Sequence, residues 1–219
     1  LSYVQIDNPL ASVIDPNFIG LHISDQSSVE ASSKCVLKTD PNERVGVFCN
    51  VDGNVSIVEY SDLPTDKADE VDDEGHLTYA GGSIALHLFS VDFLQRTADN
   101  LQWHRAHKKI PFIDLKTGEL LIPDAPNAYK FEKFAFDVLP LAKKSLVVET
   151  VREEEFAPIK NTSGQDSPET SHALQLDRAE RWLLSRGVDV SEGATVEVSP
   201  LSASCAEDLD LHSLPSSIA

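Results

Sequence analysis

Two β-branched runs, residues 45–51 (VGVFCNV) and 55–60 (VSIVEY), flank the tripeptide Asp52-Gly53-Asn54. Valine and isoleucine favour extended backbone, and Asp-Gly accepts the positive φ values that a tight hairpin turn demands. The pattern predicts an antiparallel hairpin. A lone hairpin is marginal in water, so this one needs further strands or helices to bury its apolar face.

The remaining pattern mixes strands with helices, which predicts an α/β fold with a mixed sheet. Residues 2–6 alternate and end in Asp7-Asn8-Pro9, a strand whose end delivers a carboxylate into a loop, the edge where ligands gather in open α/β sheets. Asp15-Pro16 reads as an N-cap followed by proline at the first helical position, opening a short helix through Phe18 and Ile19. A polar stretch at 24–33 leads to a strand at 34–38. Ser90 is placed to cap a helix over 91–98, and residues 110–114 and 120–122 flank Lys116-Thr117-Gly118 as a second hairpin. Pro123, Pro126 and Asn127 break regular structure before strands at 130–136 and 145–151. Ser167-Pro168-Glu169 opens a helix running to about residue 186, where Gly187 stops it; Leu176, Ala179 and Leu183 share its apolar face and are expected on the sheet. A last strand is expected at 195–198, then a flexible, fraying tail over 202–219. There is no internal repeat.

At 219 residues and 41% hydrophobic, the chain can bury a substantial core. No apolar run reaches the length of a membrane span, and no signal peptide opens the sequence. The three cysteines, Cys35, Cys49 and Cys205, are scattered and odd in number, which argues against a disulfide framework and for a reducing, cytoplasmic setting. A net charge of −18 repels nucleic-acid phosphates and anionic membranes. The charge is uneven: residues 96–160 hold 11 of the 18 basic side chains, whereas 61–75 hold seven acids and one lysine. An exposed, mobile loop is expected at 64–75. The basic third reads either as the place for an anionic substrate or as a solvated face.

Residues 126–161 join an aromatic cluster, an apolar strand and an isolated lysine. Phe134 and Phe136 share a face at strand spacing, and Lys160 lies in the loop that follows. Apolar walls for a ring face and a cation for a phosphate are what a sugar-phosphate pocket requires. On chemistry alone a core strand with a surface lysine is the plainer reading, because pockets are few per protein. His104 and His107, at i and i+3, invite a zinc reading; they lack a third ligand at recognisable spacing, and Arg105, Lys108 and Lys109 would oppose a dication.

Four segments carry a resemblance: IDNPLASVIDPNFIG (6–20), VGVFCNVDGNVSIVEYSDL (45–63), HRAHKKIPFID (104–114) and the whole of 126–161. In their order and spacing, over residues 3–201, they resemble the UDP-N-acetylglucosamine and UDP-sugar pyrophosphorylases. The resemblance implies the Rossmann-like, GT-A type fold of nucleotide-diphospho-sugar transferases, and an activity joining a sugar 1-phosphate to UTP with release of pyrophosphate. Family members carry an N-terminal glycine-rich loop of the kind GGGQGTRLG, whose amides hold nucleotide phosphates. Here Gly81-Gly82 is the only adjacent pair, no G-x-G-x-x-G occurs, and there is no methionine. Residues 1–201 are therefore expected to be the C-terminal portion of the catalytic domain, inactive alone and packing against an N-terminal half. The rival expectation is a non-catalytic module that keeps only the sugar pocket.

The resemblance also implies roles. Asp7, in the family's Asp-Asn pair, lies beside the nucleotide and Mg²⁺, for which a hard carboxylate oxygen is suited; read alone, it caps the next turn. Glu59 and Tyr60 match the sugar-binding pair, a carboxylate being able to accept from two neighbouring hydroxyls at once. Gly46 matches a glycine that lets a ligand approach the backbone. Lys130 matches a lysine on the nucleotide phosphates, and Lys160, within FAPIKN, the catalytic lysine on the sugar phosphate. Phe134 and Phe136 match the aromatic pair lining the sugar pocket. Where eukaryotic members read NAGNIANH this chain reads AGGSIALH, so Ser83 replaces a sugar-contacting asparagine. The shorter side chain leaves glucose or galactose open beside N-acetylglucosamine. Because the attacking phosphate oxygen is already ionised, such a reaction needs alignment and charge neutralisation in place of a general base.

Overall fold

The structure is a computed structural model and describes residues 1–210 and 212–218. In chain order its regular elements begin β1 (Ser2–Tyr3), α1 (Pro16–His22), β2 (Ala31–Leu37), β3 (Val47–Val51), β4 (Asn54–Val58), α2 (Thr65–Ala68), β5 (Gly81–Phe89) and α3 (Val91–Thr97). They continue with β6 (His104–Lys108), β7 (Phe112–Ile113), β8 (Leu120–Leu121), β9 (Ala128–Glu132), β10 (Leu146–Glu149), α4 (Arg152–Glu155), α5 (Pro168–Ser185), β11 (Asp189–Val190) and β12 (Ser217–Ile218).

The main sheet runs β10-β2-β5-β3-β4, with β1 also on β5. β10 lies parallel to β2 and the other pairings are antiparallel, so the sheet is mixed as expected. Phe18 of α1 and Phe156 cover one face over Val36, Leu86 and Leu88. Phe93 of α3, with Val138 and Leu139 from a 3₁₀ helix at Ala135–Leu141, covers the other over Ala31 and Phe89. No helix among the described residues is long and apolar enough to cross a membrane.

The 45–60 hairpin forms as its turn residues require. Asp52 and Gly53 take φ of 51° and 85°, both left-handed, and the Gly53 amide donates to Asn50 Oδ1 at 2.9 Å. The expected caps also form: Asp15 accepts from the Asn17 and Phe18 amides, Ser90 from Phe93, and Ser167 shares a reciprocal capping box with Thr170. The second hairpin, β7–β8, turns at Gly118 with φ 76°.

Several expectations give way to tertiary structure. The strand expected at 2–6 stops at Tyr3, because β5 gives the rest of that edge to β3 through the Val47–Gly82 pair. The strand expected from 34 starts at Ala31, and the polar residues Ser32, Ser33 and Lys34 are buried at the sheet's centre. Burial is tolerated there because each polar group is bonded. Ser32 Oγ shares a hydrogen bond with His22 Nδ1 and Ser33 Oγ with His87 Nδ1, both at 2.8 Å, while Lys34 pairs with Asp15 and Glu155.

The strand expected at 130–136 ends at Glu132. Beyond it the chain winds into the 3₁₀ helix, which puts Val138 and Leu139 into the core, and Pro140 has no amide to give a ladder. α5 does not lie on the sheet: Ala179, Trp182 and Leu183 pack on Val188, Val196, Ala203 and Leu209, which return along the helix after Gly187. No strand forms at 195–198, and the segment expected to fray from Ser202 supplies buried Ala203 and Leu209. The acidic stretch at 64–75 contains α2 and a Lys67–Glu70 ion pair of 2.6 Å, and is largely exposed.

His87 is fully buried, its Nε2 has no partner among the described residues, and burial depresses its pKa from 6.5 to about 4. The unfolded chain binds a proton at this ring near pH 6.5 and the folded chain does not until about pH 4, so stability falls as pH drops through that window. The expected loss by pH 4 is about 3 kcal/mol. Urea denaturation at stepped pH checks it, with His87→Asn removing most of this dependence; an unchanged pH profile in that variant would contradict it.

Candidate active site

Gly46 and Glu59 extend the Val47–Val58 pair of the hairpin by one step, which places them side by side. A Cβ on Gly46 would lie 2.8 Å from Ile57 Cγ2 and 3.2 Å from Glu59 Oε1, so the missing side chain is what lets the carboxylate lie there. The Gly46 carbonyl accepts from the Ser83 amide at 2.7 Å, adding β5 to the group. Ser83 sits beside a bulge where the β2–β5 register shifts and Ala85 takes φ 52°; its hydroxyl accepts from the Ala85 amide at 3.3 Å. The Glu59 carbonyl closes a turn to Asp62 and Leu63, and the next residue, Tyr60, is exposed.

The half-buried Glu59 carboxylate accepts no hydrogen bond among the described residues. Burial pushes its pKa up and Asp62 adds to this, while His104 and Lys160 pull it down and Asp137 raises it. These groups therefore share one electrostatic neighbourhood, in which burial disfavours the ionised form of Glu59.

The aromatic pair forms, although not on a strand. Phe134 caps the 3₁₀ helix and Phe136 lies in its first turn, and the rings stack with centroids 4.9 Å apart at 13°. Phe136 packs on the core with Phe48 and Ile57. His104 lies 4.5 Å from the Phe134 ring and its Nε2 bonds Asp137 Oδ2 at 2.6 Å. Sequence reasoning took His104 only as a possible metal ligand and missed Asp137. Both histidines lie on β6, where a three-residue step points to opposite faces; His107 stacks on Tyr129 instead. Among the described residues no three His, Cys, Asp or Glu side chains converge as a metal cage.

A buried asparagine brings Asp7 and Lys160 together. Asn8 donates Nδ2 to the Glu155 carbonyl at 2.8 Å and accepts the Ala157 amide at 2.9 Å, and the Ile159 amide then donates to the Asp7 carbonyl at 2.8 Å. Lys160 is exposed, with Nζ 3.4 Å from the Arg44 carbonyl and 5.7 Å over the Phe156 ring, and has no carboxylate partner among the described residues. Lys130 is different: it lies on β9 of the two-stranded β6–β9 ribbon and pairs with Glu132 at 2.7 Å. Among the described residues it makes no contact with Glu59, Gly46 or Ser83, although its partner Glu132 lies across from His104 in the ribbon. The neighbouring Lys133 lies 4.9 Å over the Trp103 ring.

Gly46→Ala must displace Ile57 or Glu59, and overpacking of this kind costs about 1–3 kcal/mol. Gly20, inside α1 with open space around its Cβ position, is the control, since alanine there is neutral or stabilising. Urea denaturation of both variants checks the contrast, and equal effects would contradict it.

A model of the family described as UTP–glucose-1-phosphate uridylyltransferase matches residues 2–200. The UDP-N-acetylhexosamine pyrophosphorylase-like protein 1 of Xenopus tropicalis is 39% identical over 196 residues, covering 85% of this chain and 38% of that protein. The UDP-N-acetylglucosamine pyrophosphorylase of Saccharomyces cerevisiae is 37% identical over 213 residues, covering 93% and 44%. The crystal structure of the corresponding Trypanosoma brucei enzyme superimposes with a TM-score of 0.79 at 29% identity, covering 100% of this chain and 48% of that one. The chain thus spans about two fifths of the length of these curated relatives. With both its sequence over nearly its whole length and its mixed sheet matched, the chain belongs to the UTP–glucose-1-phosphate uridylyltransferase family.

Proposed function

We propose that this chain is the sugar-binding and phosphate-binding part of a uridylyltransferase that joins a sugar 1-phosphate, most closely N-acetylglucosamine 1-phosphate, to UTP, releasing pyrophosphate and a UDP-sugar. The observation that carries the reading is the cross-strand row of Glu59, Gly46 and Ser83, with the Lys160 ammonium at the carbonyl of Arg44, two residues before Gly46, and the Phe134–Phe136 stack on the core that Ile57 shares. Glu59 accepts from two sugar hydroxyls, with the stacked rings against the apolar face of the sugar. Lys160 neutralises the sugar phosphate as its oxygen attacks the α-phosphate of UTP, a step served by alignment and charge in place of a general base. Ser83 bears on which sugar is preferred, and the names of the relatives favour an N-acetylhexosamine.

Asp7 fits a Mg²⁺ ligand: it is a hard carboxylate in a loop beside Lys160, and its side chain takes no hydrogen bond among the described residues. One carboxylate with phosphate and water oxygens is the usual Mg²⁺ environment, in which the ion offsets charge on the triphosphate. Lys130 would serve the nucleotide only by exchanging Glu132 for a phosphate. The three cysteines are free thiols, in keeping with a cytoplasmic protein. The glycine-rich phosphate loop belongs to an N-terminal half that packs against this chain.

In the full-length protein, Glu59→Ala raises the KM for the sugar phosphate and weakens discrimination between sugars, with calorimetric UTP binding nearly intact. Lys160→Ala lowers turnover more than binding, by about 2–4 kcal/mol in transition-state stabilisation. Wild-type behaviour of both variants would overturn the assignment. Residues 1–219 alone should release no pyrophosphate from UTP and sugar phosphate, since the triphosphate cradle is missing; robust turnover by the purified chain would refute the half-enzyme reading.

A further inference from the structure

The β6–β9 ribbon pairs only with itself among the described residues, and Tyr129 and Phe131 on it, with Trp103 just before it, are exposed. A two-stranded ribbon with so little burial is marginal by itself, so its few links to the body decide where it sits. One such link is unusually direct. His104, at the start of β6, reaches Asp137 on the 3₁₀ helix with an Nε2 to Oδ2 distance of 2.6 Å, and its ring leans on Phe134 at 4.5 Å. Phe134 stacks on Phe136, and Phe136 on the core beside Phe48 and Ile57 of the hairpin that carries Glu59. The contacts close a loop: core, Phe136, Phe134, His104, Asp137, and back to the helix holding Phe136.

We infer that His104, acting through Asp137, holds the Phe134–Phe136 stack against the core on which the Glu59 hairpin also packs, and is a positioning residue for the sugar phosphate and not for UTP. The inference rests on the sugar-binding reading above. Asp137 is the less exposed partner, at 19% against 37% for the histidine, so the bond is partly shielded from water. Loss of either partner would release the ring from the 3₁₀ helix and loosen the wall. An aromatic wall displaced by a fraction of an ångström loses contact with a ring while leaving the nucleotide side untouched.

The test is steady-state kinetics of the full-length protein with N-acetylglucosamine 1-phosphate and UTP varied separately. His104→Ala should raise the KM for the sugar phosphate about tenfold while the KM for UTP stays within about twofold. His104→Gln, whose amide can still donate to Asp137, should recover most of the loss. Asp137→Ala should match His104→Ala, and the double variant should be no worse than either single one. If alanine at 104 prevents folding, His104→Gln paired with Asp137→Asn supports the same comparison. A parallel rise in both KM values, a fall confined to kcat, or additive effects would overturn the inference and leave the uridylyltransferase reading standing. A wild-type protein that makes no UDP-sugar would overturn the reading, and the inference with it.

Discussion

Lys34 carries a positive charge into the centre of the sheet, its side chain only 5% exposed, and holds Asp15 at 2.6 Å and Glu155 at 2.5 Å. Each partner has a second task. Asp15 caps α1 through the amides of Asn17 and Phe18, and the Glu155 carbonyl accepts from Asn8. Burial works against an ionised Asp15, but the Lys34 ammonium and the capping amides prevail and hold its pKa below the usual carboxylate value. One lysine therefore ties β2, the first turn of α1 and the end of α4 to the loop that presents Asp7. Breaking a buried pair by removing one partner typically costs about 3–5 kcal/mol, a large share of a stability of about 5–15. Desolvation makes such a cluster weak as a source of net stability; its value lies in fixing geometry.

The side of the site proposed to take phosphate hangs from this cluster. Through Asn8 the loop at Asp7 is laced to Glu155, Ala157 and Ile159, one residue before Lys160. The side proposed to take the sugar hangs from a different device, the hairpin with its glycine step at Gly46 and the bulge at Ala85 that sets Ser83. The two sides come together around Glu59, whose protonation feels both Lys160 and the His104–Asp137 pair. A site assembled from two independently anchored halves can bring an anionic phosphate and an uncharged ring into register without one element bearing both.

Local chemistry made much of the fold legible. Asp52-Gly53 needs left-handed backbone and obtained it, Ser90 and Ser167 cap the helices they precede, and Gly187 ends α5 with φ 81°. Each of these signals acts over a few residues, so no distant contact could overrule it. The failures share the opposite property. Ser32, Ser33 and Lys34 look like a solvated stretch because their partners, His22, His87, Asp15 and Glu155, lie up to 121 residues away. The apolar face of α5 has the right period but carries no address, and the returning segment after Gly187 covers it before the sheet can. Phe134 and Phe136 were legible as a pair, but the 3₁₀ helix that stacks them follows from burial of Val138 and Leu139 against α3 and β5.

What the sequence by itself determined is the hairpin, the caps, the turns and the family to which the ordered segments belong, because these depend on neighbours in the chain or on long ordered matches. Tertiary structure alone decided that Gly46 and Glu59 share a face with Ser83, that Lys160 has no carboxylate partner among the described residues while Lys130 is paired with Glu132, and that His104 meets Asp137. Those outcomes depend on strand register, on a bulge that inserts two residues into β5 and on which of several carboxylates reaches a cation first. Such differences of a few ångströms, between residues tens of positions apart, leave no mark in local sequence pattern.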